Sequence, residues 1–210
     1  MPYRRLPNTD NARLKALDTA FSKGKELPPF KLAFSQGTLQ KLSSIIPAYK
    51  TALSENKNTY TLQLEKNKNF HKYQKKAKLY VSHFIQVVNM AIHRGDLAAD
   101  TRTYFGLEKE EKKLPDLNCE QELLTWGQRL IDGEQQRRMK GYPPITNPTI
   151  ALVKVHLDNF RDAYNNMVNL KKRNNLAQEN INTKREQVDQ LIQQLWNEVE
   201  DTFSDLPEEL

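Results

Sequence analysis

Residues 36–93 read QGTLQKLSSIIPAYKTALSENKNTYTLQLEKNKNFHKYQKKAKLYVSHFIQVVNMAIH. With Leu39 as position a of a heptad, the a positions are Leu39, Ile46, Leu53, Tyr60, Asn67, Gln74, Val81 and Val88. The d positions are Leu42, Tyr49, Asn56, Gln63, Phe70, Ala77, Phe84 and Ala91. Apolar side chains at this spacing line one face of an α-helix. The stripe is strong at both ends and polar in the middle. A continuous helix over the stretch would be ~87 Å long at 1.5 Å per residue. Pro47 removes a backbone donor, so it is expected either to bend this helix or to end a first, shorter one.

A second stretch, Pro148 to Ser204, repeats the pattern at an offset of 111 residues without a gap. Leu39, Leu42, Ile46, Tyr49 and Leu53 meet Ile150, Val153, Leu157, Phe160 and Tyr164, while Phe70, Ala77, Val81, Phe84 and Val88 meet Ile181, Val188, Ile192, Leu195 and Val199. Only five residues are identical across the aligned stretches, too few to establish a duplication, since any two amphipathic helices slide into register. The flanks agree, however: Pro28-Pro29 precede the first stretch and Pro143-Pro144 the second.

Working outward, a short helix is expected over about Asp10 to Lys23, with Asp10 as cap, Leu14, Leu17 and Phe21 on one face, and Gly24 at its end. Ser35 is placed to cap the long helix, and His93-Arg94-Gly95 to end it. Residues 95–117 are a long connection holding Tyr104, Phe105 and the charged run Glu108 to Lys113. A helix restarts after Asn118, with Gln121 set to complete a capping box, and stops at Gly141. Asn147 then caps the last helix, with Pro148 at its first position, and an acidic tail runs from Leu206 to Leu210.

The order short, long, short, long fits a single all-α domain over residues 1–210, built from two similar halves, 9–94 and 118–204. If the long helices lie antiparallel, the start of each packs on the end of the other, and each short helix completes a three-helix core. Only two helices cross the middle, which explains its polar seam. The expectation is an elongated, pseudo-twofold bundle. The alternative breaks the long helices near Asn56–Asn58 and Asn174–Asn175 into a compact bundle of about six. Leu62 and Leu176, off the seam, trouble the elongated version.

Composition agrees with long, solvent-washed helices: 28% of residues are charged, 38% hydrophobic, and only seven are glycine. The one cysteine, Cys119, cannot form an internal disulfide, which fits a reducing compartment. Met1-Pro2-Tyr3-Arg4-Arg5 has no apolar run after it, as a secretory signal would. The most apolar run, Leu79 to Ile92, is too short and too polar to span a bilayer. A cytoplasmic location follows as the expectation.

No catalytic, cofactor or metal site is legible. His71, His83, His93 and His156 form no Glu-x-x-His or His-x-x-x-His pair, and there is no phosphate-cradling glycine loop, Gly-x-Ser-x-Gly turn or Cys-x-x-Cys. The most suggestive feature is basic: Lys66, Lys68, Lys72, Lys75, Lys76 and Lys78 lie in thirteen residues, in a chain of formal net charge +6. Lys68, Lys72, Lys75 and Lys76 project away from the seam. Lys171, Lys172, Arg173, Lys184 and Arg185 are expected at the matching level of the other long helix. Such a face can neutralise phosphates, with His71 and Tyr73 available to stack on bases. It is equally what a soluble helix face looks like.

The strings LPPFKLAFSQ (27–36), HFIQVVNMAI (83–92) and ITNPTIA (145–151), with the opening MPYRRLPNTD, resemble a family of bacterial all-helical proteins of unknown function. The resemblance spans nearly the whole chain, and it carries no active residues over. It implies that the chain is shortened after Leu210, where family members continue. The leading expectation is therefore a helical-bundle protein acting through a protein partner or self-association, with no cofactor and no small-molecule substrate evident. The alternative is a nucleic-acid-binding protein using Lys68, Lys72, Lys75, Lys76, Lys171, Lys172 and Arg173. An enzyme with a scattered site comes third.

Overall fold

Both heptad stretches fold as unbroken helices in the computed structural model, which describes residues 5–109 and 113–204. The elements are α1 (Asp10–Glu26), α2 (Gln36–Arg94), α3 (Thr101–Tyr104), α4 (Glu120–Met139) and α5 (Ile150–Thr202), with a 3-10 turn at Pro29–Lys31. No strand occurs among the described residues, and the protein is all-α. Pro47 lies inside α2 without ending it, and α2 runs unbroken through Asn56–Asn58 as α5 does through Asn174–Asn175, so neither break required by the six-helix alternative is present. No helix among the described residues is long and apolar enough to cross a membrane. Residues 1–4 of the opening, 110–112 of the charged run and the acidic tail from Leu206 lie outside the described residues.

The chain forms two compact units, Met1–Thr61 with Lys172–Leu210, and Leu62–Lys171. The first unit takes its core from α1, the start of α2 and the end of α5: Leu17, Leu42, Ile46, Tyr49, Ala52, Ile181, Val188, Leu191 and Ile192 are buried together. The second unit gathers Phe70, Ala77, Val81, Phe84, Ile85 and Val88 of α2 with Leu123 and Leu130 of α4 and Val153, Leu157 and Phe160 of α5. The a/d positions supply most of both cores, because period 3.5 keeps them on one stripe. Tyr60 alone among the a/d positions of α2 is exposed, within a run from 53 to 69 that buries no residue fully.

The long connection is tied to the second unit by Phe105, which is fully buried with its ring edge-on to Phe84 at 5.6 Å. The ends of α2 and α4 follow the glycine signals. At Gly95 (φ 83°) the amides of Gly95 and Asp96 return to Ile92 and Ala91, and at Gly141 (φ 83°) the amides of Gly141 and Tyr142 return to Arg138 and Arg137.

Four local expectations are corrected. Thr9, not Asp10, caps α1: its hydroxyl accepts from the Ala12 amide at 3.2 Å, which frees Asp10 for a longer-range role. Gly24 does not stop α1. It is buried within the last turns, where a Cβ would collide with Leu39 of α2, so it serves a close approach. The capping box of α4 does not form: Cys119 is at the cap without a side-chain bond, Asn118 Oδ1 accepts from Lys78 Nζ, and Gln121 reaches Tyr164. Asn147 does not cap α5. Its backbone is left-handed (φ 56°), whereas a cap residue is extended, and the helix starts at Ile150, with Thr149 O accepting from Leu152 and Val153.

Candidate binding surfaces

In the second unit the basic stretch is displayed on α2. Lys68, Lys72, Lys75 and Lys76 are at heptad positions b, f, b and c, on the side away from the seam, and all four are exposed. None of the four bonds or pairs with another described side chain, whereas Lys78 donates to Asn118 at 2.6 Å. His71 is exposed and Tyr73 is 36% exposed.

Within this unit, Lys171 is not at the level of these lysines. The Phe70 ring is 5.7 Å from Phe160, and the Tyr80 ring 4.1 Å from His156. Residues 68–76 therefore run alongside residues of about 156–162, not at the level of Lys171. Burial, and next the charge of Lys76, push His156 below its ordinary value, which agrees with that register. A fixed offset matches positions in the pattern, but it does not fix levels on the neighbouring helix. Lys171 is exposed in the same unit. Lys172 and Arg173, also exposed, belong to the first unit, where neighbouring Asn174 is 3.4 Å from Thr59. Lys184 is half-buried and bonds Gln187, and Arg185 is committed to Asp10.

In the first unit, α1 covers one side of the α2–α5 pair through an ionic clamp. Arg13 meets both oxygens of Asp189 at 2.8 Å, Arg185 meets both oxygens of Asp10 at 2.8 and 2.7 Å, and Lys50 meets Asp18 at 3.1 Å. Tyr49 adds its hydroxyl to Asp10 at 2.7 Å. Arg185's paired hydrogen bonds are the main reason the Asp10 carboxyl falls to about 2, with burial opposing them. Burial, then the bond to Asp10, pushes Tyr49 up to about 12.

Asp189 and Lys50 are at heptad position e. The g positions flank the seam on its other side, and there Ile45 and Leu191, with Ala48, floor a groove of about 490 Å³. Its walls are Lys41 and Ser44 from α2 and Lys184, Gln187, Gln190 and Gln194 from α5. No acidic residue lines it. Lys41 donates to Gln194 and Lys184 to Gln187, each at 3.0 Å, so both cations meet neutral amides. Outside the lining, Glu198 accepts from Ser35 N at 2.8 Å, Thr38 Oγ1 at 2.7 Å and Gln194 Nε2 at 2.7 Å. Burial acts to raise its carboxyl, but these donors outweigh it and hold the group below its ordinary value. A carboxylate of α5 thus joins the Ser35 hydroxyl, which accepts from Thr38 N at 3.2 Å, in capping α2.

The second unit also holds a cleft of about 740 Å³ bounded by Arg102, Lys113, Leu114, Trp126 and Arg129. Among the described residues, no group of three or more His, Cys, Asp or Glu is placed to hold a metal ion. The groove was missed in the sequence because Ile45 and Leu191 lie next to the stripe, and nothing local says which side a third helix will cover. Comparison against protein-family models, curated proteins and solved structures returned no match for this chain.

Proposed function

We propose that this protein is non-enzymatic and acts by binding another protein through helical surface left open by its own packing. The observation that carries the reading is the groove over Ile45, Ala48 and Leu191, on the side of the α2–α5 pair that α1 leaves uncovered. An apolar floor between polar walls on two adjacent helices is the form that receives a partner helix. Part of the same proposal is that the long helices pair antiparallel, supported by contacts such as Lys41 with Gln194 and Phe70 with Phe160. So are a cytoplasmic location and membership of the bacterial all-helical family that the sequence resembles. The test is a photoreactive residue placed at Ala48, with exposed Ser54 as control, in the cells the protein comes from. A protein conjugate is expected at position 48 only. Equal labelling at both positions, or turnover of a screened substrate by the purified chain, would sink the reading.

A second reading has its own observation, the four exposed and unpartnered lysines Lys68, Lys72, Lys75 and Lys76. Under it, α2 binds nucleic acid by neutralising phosphates, and affinity falls steeply with salt. Reversing all four charges abolishes binding to a single-stranded oligonucleotide. Retained binding would remove these lysines from the role.

A further inference from the structure

The chemistry of the groove also specifies its occupant, on the footing that the chain binds protein there. We infer that the groove of the first unit takes an amphipathic helix of about three turns, with one acidic side chain on each flank of its apolar stripe. Lys184 and Gln194 bound the α5 wall ten residues apart, ~15 Å of helix, which is the length of about ten helical residues. Lys41, bonded to Gln194, is at one end on the α2 wall, and Lys184 is at the other end on the α5 wall. The two cations therefore stand diagonally across the floor, with no carboxylate in the lining to neutralise them. Acidic residues about ten apart on the incoming helix differ by ~80° around its axis at ~100° per residue. That angle sets them on the two flanks of a stripe covering Ile45, Ala48 and Leu191.

The opposite side of the same helix pair already docks a helix by this chemistry. There α1 buries Leu17 and sets Asp10 and Asp18 on Arg185 and Lys50. The open side shares the apolar floor with a cation at each end, but it has no acid to match Asp189, which takes Arg13 of α1. The glutamines of the wall satisfy polar groups on the occupant's outer turns without selecting a charge. The two lysines do select one, because a basic helix would bring like charges together.

The experiment uses the full chain and two labelled synthetic peptides of about 15 residues. Both carry leucine at helical spacing; one has glutamate at the two flank positions, and the other lysine. Anisotropy is followed for the native protein, for Lys41→Glu with Lys184→Glu, and for Ala48→Gln. The acidic peptide is expected to saturate the native protein, and the basic one is not. Double charge reversal should weaken the acidic peptide at least tenfold and recruit the basic one, while Ala48→Gln should weaken whichever peptide binds by filling the floor. Helical circular dichroism and an unchanged thermal melt confirm that each variant retains its fold. Equal binding of the two peptides, or no effect of charge reversal, overturns the inference. A dimer of the native chain that dissolves in Ala48→Gln makes the occupant a second copy and also overturns it. If Ala48 conjugates a protein in cells while the acidic peptide is ignored, the occupant's chemistry is wrong and the protein-binding reading stands. If neither occurs, both fall.

Discussion

At the scale of single residues, Asp10 carries more than its position at a helix start suggests. Its carboxyl is held at about 2 against an ordinary 3.8, so it contributes stability that is complete above about pH 4 and lost as pH falls toward 2. The shift of nearly two units corresponds to about 2 kcal/mol. Asp10→Asn should lower stability by about that amount at neutral pH, and the gap from the native protein should close near pH 2; urea titrations at both pH values check it. Tyr49 has the opposite sign. Raised from 10.0 to about 12, it supports the fold below pH 10 and loses that contribution as pH climbs to 12. Gly133 is a second residue whose meaning is tertiary. A Cβ there would run into the backbone carbonyl of Tyr104 and the ring of Phe105, and a backbone atom cannot step aside as a flexible side chain does. Gly133→Ala should therefore destabilise by about 1–3 kcal/mol, although alanine is the better helix former by about 1 kcal/mol. Thermal melts decide the sign. Neither residue was legible in this role: Asp10 reads as a cap, and nothing near Gly133 announces the approach of residues 104 and 105.

At the scale of elements, α4 is anchored by a buried ion pair. Arg137 Nη1 meets Glu134 Oε2 at 2.6 Å, with side chains 1% and 0% exposed, and Glu134 Oε1 accepts from the Ile145 amide at 2.8 Å. Glu134 thus ties the end of α4 to the segment leading into α5. Removing one partner leaves a buried charge unpaired, so Glu134→Ala should cost about 3–5 kcal/mol. Glu134→Leu with Arg137→Met should cost less than Glu134→Ala, because it removes both charges while restoring volume. A double variant as unstable as the single one would mean the Ile145 bond dominates. The signals that end α2 and α4 were legible, because Gly95 and Gly141 act through backbone conformation alone, whereas Gly24 inside α1 answers to Leu39 of α2. The starts were less so. Ser35 does cap α2, but Glu198 joins it from 163 residues away, and no local pattern supplies that partner.

At the scale of the whole molecule, α2 and α5 each give one stretch to each unit, and the stretches between the cores bury nothing fully from 53 to 69 or from 171 to 180. The second unit is contiguous, Leu62–Lys171, and contains its entire core cluster. A fragment of residues 62–171 should fold on its own, with helical circular dichroism and a cooperative melt reported by Trp126. A chain without helical signal or cooperative melting would refute that independence. The heptads by themselves determined the all-α class, the two long helices and the seam residues that become the two cores, because burial of an apolar stripe follows from spacing along one helix. Only the tertiary structure decided which side of each pair a short helix covers, which acid meets which base, and that the lysines of α2 lie beside residues 156–162. Those outcomes depend on how helices distant in sequence approach one another, and a helix's own period says nothing about its neighbour's level or the side left open.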